Sequence, residues 1–232
     1  MDNDPFGILL IDKPEGVTSH DVVACIRRKG RFEKVGHAGT LDPLATGLLV
    51  LLIGRATRSA ASYLEHEKSY EATMTLGVAT ETGDREGSPI RYGPYEQVHL
   101  GKVQEIFNAL QGSSEQIPPM YSAVKLGGRK LYELARKGIS VERSPRRIFI
   151  RLLELREFQP PTLSFFLVCS KGTYVRALVE TIGERLGCPG HLSSLRRVRS
   201  GTFVAEEAIP FEEARQLNRE ALVKLLKHPP EI

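Results

Sequence analysis

Short apolar runs and helical stripes follow one another along the chain in irregular order. Residues 7–11, Gly-Ile-Leu-Leu-Ile, read as a strand running into a turn at 12–16. Thr18 or Ser19 can then cap a helix reaching about residue 29, with Val22, Val23 and Ile26 on its inner face. Residues 48–53, Leu-Leu-Val-Leu-Leu-Ile, have no polar alternation and predict a strand buried on both faces. A short helix is expected over about 56–65, and the alternation of 70–76 predicts a strand. Residues 80–95, rich in Gly, Pro and charge, read as a loop.

Further on, Val98, Val103, Ile106, Phe107 and Leu110 form a helical stripe. Residues 120–126 read as a strand and 129–136 as a short helix stopped by Gly138. Two strands, 148–158 and 163–169, flank the Gln159-Pro160-Pro161 break. The clearest helix runs from 173 to about 186, with Val175, Leu178, Val179, Ile182 and Leu186 on one face and Gly187 at its end. Two short helices are expected over 211–227. Strands and helices interleave without a βαβ repeat, so the expected class is α+β, in one domain.

Composition narrows the setting. At 41% apolar and 26% charged, the 232 residues are ordinary for a globular chain with a real core. No apolar run is long enough to span a bilayer, and the acidic start is wrong for a leader peptide. Cys25, Cys169 and Cys188 are few and far apart, which points to small core residues in a reducing cytoplasm. The net charge of +4 is modest, but nine Lys or Arg stand against two acids between Lys125 and Arg151. A second cluster is Arg196-Arg197-x-Arg199. Together they favour a polyanionic partner. Dinucleotide and P-loop glycine patterns are absent, and no His/Cys/Glu group has metal-ligand spacing, so no cofactor and no metal are expected.

The most informative stretch is Gly36-His37-Ala38-Gly39-Thr40-Leu41-Asp42-Pro43-Leu44-Ala45-Thr46-Gly47. It holds one carboxylate at the entrance to a buried strand. Pro43 biases Asp42 towards extended backbone, and glycines allow tight bends on both sides. Taken alone, Asp42-Pro43 reads as a turn. By the same local logic Arg176 reads as a solvated arginine off the apolar stripe, Tyr70 as a strand aromatic and His37 as a loop histidine. Tyr174 and Leu195 read as core side chains.

The whole stretch resembles the catalytic motif of the bacterial tRNA pseudouridine-55 synthase family, TruB, and the resemblance runs from about residue 7 to 203. It is carried as well by Lys68-x-Tyr70-x-Ala72…Leu76-Gly77…Thr80-x-Thr82-x-Asp84, by Cys169-Ser170-Lys171-Gly172-Thr173-Tyr174-Val175-Arg176, and by Pro118-Pro119-x-Tyr121-Ser122-Ala123-x-Lys125 with Gly128-x-x-Leu131-Tyr132-x-x-Ala135-Arg136-x-Gly138. The resemblance implies a pseudouridine synthase fold, with a central mixed, largely antiparallel sheet, flanking helices and an RNA-binding insertion at about 118–147. It implies that Asp42 is the essential catalyst, paired with Arg176, and that Tyr70 stacks on the target base and is a candidate to remove the C5 proton. Tyr174 and Leu195 would line the pocket, and His37 would fill the gap left by a flipped uridine. Lys13 would be supporting structure or a phosphate contact.

Catalysis would span residues 1–205, with 206–232 a short helical tail. The 31 residues after Gly201 fall below the roughly 40 that an unaided domain needs, so a full C-terminal PUA module is not expected. The expected reaction is isomerisation of uridine 55 in the T arm of tRNA, by a cytoplasmic monomer needing no guide RNA, membrane or cofactor. Asp42 could stabilise the C1′ cation, form a covalent adduct or take the C2′ proton. Alternatives are a guide-dependent pseudouridine synthase and an RNA-binding or RNA-folding protein without catalysis. A glycoside hydrolase would need a second carboxylate across the bond, and only one acid is well placed.

Overall fold

In a computed structural model, which describes residues 5–229, the chain forms two compact units. The first is made of residues up to 70 and from 195 on, and the second of residues 71–194. The chain begins in the first unit with β1 (Gly7–Lys13), α1 (Ser19–Gly30), β2 (Val35–His37) and β3 (Thr46–Ile53). A 3-10 turn over Gly54–Ser59 leads into α2 (Ala60–Leu64), so the helix expected at 56–65 is split. The start of α1 follows from its cap. The Thr18 side chain accepts from the Asp21 amide, while the Asp21 carboxylate takes the Thr18 amide at 3.1 Å.

β4 (Lys68–Leu76) carries the chain into the second unit. There β5 (Val78–Thr80) and β6 (Pro89–Tyr92) pair as an antiparallel hairpin. Residues 80–95 were expected to be loop. Pairing supplies the order that their Gly- and Pro-rich composition does not signal. α3 (Leu100–Leu110) buries Val103, Ile106, Phe107 and Leu110 as the stripe predicts, and β7 (Gly112–Gln116) follows. The strand expected at 120–126 shrinks to β8 (Lys125–Leu126), which turns through Gly127 and Gly128 into β9 (Arg129–Lys130) and α4 (Leu131–Ala135).

β10 (Arg146–Gln159) and β11 (Thr162–Cys169) form a long antiparallel ribbon, and α5 (Val175–Leu186) ends at Gly187 in the left-handed region. The strand order in this unit is β4-β11-β10-β7. Phe107 of α3 meets Phe165 of β11 edge to face at 5.7 Å. Cys169 and Cys188 are buried, as expected of small core residues, while Cys25 on α1 is only half-buried.

β12 (Gly190–Ser200) returns the chain to the first unit, followed by β13 (Phe203–Val204), β14 (Ile209–Pro210), α6 (Phe211–Ala214) and α7 (Arg219–Lys224). The strand order there is β14-β1-β3-β12. β1 runs antiparallel to β3 and parallel to β14, and β3 runs parallel to β12, so the sheet is mixed. One face packs Ile8, Leu10, Leu48, Val50 and Leu52 with Tyr63 and Phe203. Leu49, Leu51 and Ile53 on the other face of β3 are also fully buried, which is why this strand lacks polar alternation. Among the described residues no helix is long and apolar enough to cross a membrane. Leu51→Ala is expected to lower the urea-unfolding free energy by about 2–5 kcal/mol, the usual cost of emptying a fully buried leucine site.

Candidate active site

In the first unit the Asp42 loop is held from three sides. Ser19 Oγ donates to the Leu41 carbonyl at 3.0 Å and accepts the Leu41 amide at 2.8 Å. The Asp42 carbonyl accepts the Ala45 amide at 3.0 Å, closing a tight turn around Pro43. The Pro43 carbonyl receives the Gly16 amide at 2.9 Å and Lys13 Nζ at 3.3 Å. Lys13 is fully buried and also donates to the carbonyls of Pro14 and Val17 at 2.7 Å. Of its two sequence readings, this geometry fits the supporting one. The backbone is therefore fixed before and after Asp42, whose own side chain is half-buried.

Arg197 was read only as part of a basic cluster, and the structure corrects that reading. On β12 Arg196 is half-buried and Arg199 exposed, while Arg197 lies inwards and is 2% exposed. Its Nε donates to the Leu48 carbonyl at 2.7 Å and its Nη2 to the Gly39 carbonyl at 3.0 Å. It also hydrogen-bonds the Tyr70 hydroxyl. One guanidinium thus ties together the loop before Asp42, the strand after it and the candidate base-contacting tyrosine. Burial lowers the Arg197 pKa, and Tyr70 opposes that shift.

Two glycines of the motif, both with positive φ, lie against Arg197. At Gly47, with φ +92°, a Cβ would stand 2.3 Å from the Arg197 carbonyl oxygen, and at Gly39, with φ +128°, 3.4 Å from Nη1. Leu195, two residues earlier on β12, is buried, and its carbonyl accepts Thr46 Oγ1 at 3.4 Å. Arg196 is not part of a free basic patch either. It forms a two-pronged ion pair with Asp12, at 3.0 and 2.7 Å.

His37 ends β2, with Nδ1 accepting the Gly39 amide at 3.4 Å. Burial lowers its pKa first, and the charge of Arg197 and then His20 add to the shift. Both effects favour the neutral ring.

Arg176 and Tyr174 lie in the second unit. Arg176 is not a solvated arginine. It is 4% exposed, in the first turn of α5, with Nη1 on the Thr82 carbonyl and Nη2 on the Tyr121 carbonyl, both at 2.7 Å. Its Nε lies 3.6 Å from Asp84, a buried carboxylate that also accepts Thr82 Oγ1 at 2.5 Å and the Glu86 amide at 3.1 Å. This carboxylate is the local compensation that a cation near a helix N-terminus requires. Asp84 and Thr82 stand in the quoted motif, but their spacing from Arg176 gives no sign of the contact. Tyr174 is clamped through its backbone by Gln116, whose side chain donates at 3.0 Å and accepts at 2.8 Å. Glu180, one turn beyond Arg176 on α5, has a raised pKa, from burial first and Glu184 and Asp84 in smaller part, against Arg176 and Arg143.

This mixed-sheet α+β architecture, with a loop carboxylate braced by buried cations, is that of a pseudouridine synthase. Residues 27–175 match the N-terminal domain of TruB family pseudouridylate synthases, and residues 176–227 match the C-terminal domain of tRNA pseudouridylate synthase B. The chain belongs to the TruB family of pseudouridylate synthases. It is 48% identical over 206 residues to the tRNA pseudouridine synthase B of Syntrophotalea carbinolica, covering 89% of this chain and 67% of that protein. It is 49% identical over 214 residues to the protein of the same name in Geobacillus kaustophilus, covering 89% of this chain and 75% of that protein.

Among solved structures, the crystal structure of a Cbf5–Nop10–Gar1 complex matches with a TM-score of 0.72 at 30% identity, over 97% of this chain and 60% of that chain. An H/ACA RNP bound to a substrate RNA containing 2′-deoxyuridine matches with a TM-score of 0.68 at 27% identity, over 93% of this chain and 59% of that one. The chain thus spans about three fifths of those structures.

Two measurements test this site. Arg197→Met leaves two buried carbonyls and a phenol without their donor, and should cost about 3 kcal/mol or more in urea unfolding, at about 1–3 kcal/mol per unsatisfied group. In an NMR titration His37 should have its midpoint below the ordinary value of about 6.5. Its contribution to stability is present in full above that ordinary value. It is lost as pH falls from there to the lower midpoint of the folded state, because the unfolded chain takes up the proton first.

Proposed function

We propose that the chain isomerises uridine to pseudouridine at position 55 in the T arm of tRNA, in the cytoplasm, as a monomer that needs no guide RNA and no cofactor. The observation that carries this reading is the Asp42 loop, whose backbone is fixed on both sides by Ser19, Lys13 and Arg197. The tRNA pseudouridine synthase B relatives, at close to half identity, support the tRNA substrate. The catalytic core is assigned to residues 1–205, with an RNA-gripping insertion at about 118–147 and a tail from 206. In the insertion Arg129, Arg136, Lys137, Arg146 and Arg147 are exposed, available for phosphate contacts.

The reaction breaks the bond between N1 and C1′, turns the uracil and joins C5 to C1′. Positive character develops at C1′ as the bond breaks, and a fixed carboxylate stabilises it without reorganising. Asp42 serves in this way, as nucleophile towards C1′ or as base towards the C2′ proton. Tyr70 stacks on the base and accepts the C5 proton, with the Arg197 guanidinium orienting its hydroxyl. Arg176 is the catalytic cation. Leu195 and Tyr174 are assigned substrate-binding roles. His37 occupies the gap left by the flipped nucleotide and offsets part of the stacking lost, worth a few kcal/mol.

The matches to the Cbf5–Nop10–Gar1 complex and the H/ACA RNP keep a guide-dependent reading as the rival. Incubating the protein alone with unmodified tRNA transcript and mapping pseudouridine by position separates the two. One signal at position 55, abolished in Asp42→Ala while tRNA binding persists, is the expected result. No signal from the wild type with binding intact would favour the guide-dependent reading.

A further inference from the structure

α1 presents a basic outer face that the assigned site does not use. A groove of about 720 Å³ lies along it, lined by Arg27, Arg28 and Arg31 together with Val23, Phe32 and His37. The three arginines are exposed, and among the described residues none forms an ion pair. Asp21, the acid of α1, is engaged with the Thr18 cap. Glu33, in the connection to β2, forms no ion pair among the described residues. The field over the groove is therefore positive along its length.

Cations in the last turn of a helix suit its dipole, and that alone would account for Arg27 and Arg28. It does not account for Arg31. This residue holds the C-cap at φ +48° and is the one non-glycine with positive φ among the described residues. Glycine is the residue favoured at such a position. The nearby glycine lies one place earlier, where a Cβ at Gly30 would meet the Phe32 ring at 2.0 Å. Arg219 then stacks over Phe32 at 5.5 Å and donates to the carbonyls of Gly30 and Arg31, bracing the end of the helix. An arginine thus stands in a strained cap, on a braced helix end, in the lining of a groove that also includes His37 of β2.

We infer that this groove binds the sugar–phosphate backbone of the RNA strand adjoining the target nucleotide, with Arg27, Arg28 and Arg31 as its phosphate contacts. The inference rests on the proposed action on tRNA and adds a second anchoring surface in addition to the proposed insertion at 118–147. An RNA strand fits better than an acidic peptide, because the lining includes His37, five residues before the candidate catalyst, and a nucleotide bound at that catalyst must be continuous with its own backbone.

The test is a salt titration of tRNA binding by the full chain. It compares the wild type with a triple variant, Arg27→Gln/Arg28→Gln/Arg31→Gln. A control triple, Lys102→Gln/Arg156→Gln/Lys224→Gln, removes the same charge from exposed residues already paired with Glu105, Glu154 and Glu220. Each lost phosphate contact should flatten the slope of log K against log salt by about 0.7–0.9, so the groove variant should flatten by about two units and bind at least tenfold more weakly. The control should keep the wild-type slope. The single variant Arg31→Gly should weaken binding while its Tm stays level or rises, which a purely structural arginine would not do.

A groove variant with the wild-type slope and affinity overturns the inference and leaves the tRNA reading standing. So does a control that loses as much as the groove variant, since net charge would then explain the effect. A wild type that does not bind tRNA overturns the proposed function, and this inference with it.

Discussion

Arg197 brings a full positive charge into the interior of the first unit, and the candidate site depends on how that charge is satisfied. An isolated buried cation costs several kcal/mol even after relaxation. No carboxylate pairs with it among the described residues. Two carbonyls and the Tyr70 hydroxyl take that place instead. Each belongs to a different segment, so the requirement to solvate one guanidinium fixes three pieces of chain relative to one another. The loop before Asp42, the strand after it and the start of β4 cannot shift separately without leaving a buried donor or acceptor unpaired.

The same economy explains the glycines of the motif. Gly47 is needed because the Arg197 backbone occupies the space where a side chain would stand, and Gly39 because its φ of +128° is one that side-chain-bearing residues rarely adopt. Lys13 repeats the device at the other side of the loop, with a buried ammonium placed among the carbonyls of Pro14, Val17 and Pro43. Two buried cations held by backbone oxygens make a rigid, electropositive setting for one carboxylate. Such a setting favours a preorganised carboxylate over a mobile one. In the second unit Arg176 is fixed by a similar principle, although there a buried carboxylate, Asp84, shares the work with two carbonyls.

The proposed RNA contacts have a different physical character. Residues 118–147 and the outer face of α1 offer exposed cations, and contacts of exposed cations with phosphate are screened by salt. The interior arginines and lysine have no such exposure and serve geometry rather than affinity. This division explains why counting basic residues along the chain misjudges them. Arg196, Arg197 and Arg199 are neighbours in sequence, but one is ion-paired, one is buried and one is exposed.

The sequence by itself determined the family, the Asp42 loop and most of the local elements. β1, β3, β4, the β10–β11 ribbon, α1, α3, α5 and the two tail helices all follow from periodicity and caps that act over a few residues. What only the tertiary structure decided are the features that rest on partners far along the chain. β7 is a polar strand that exists because β10 pairs with it, and the β5–β6 hairpin forms where composition reads as loop. β12 hides its period because an arginine takes an inward position. Arg197 meets Gly39 from 158 residues away, and Arg176 meets Thr82 from 94. A charged residue reads as surface in any local window. Only the assembled fold supplies the carbonyls, phenol and carboxylate that make burying it possible.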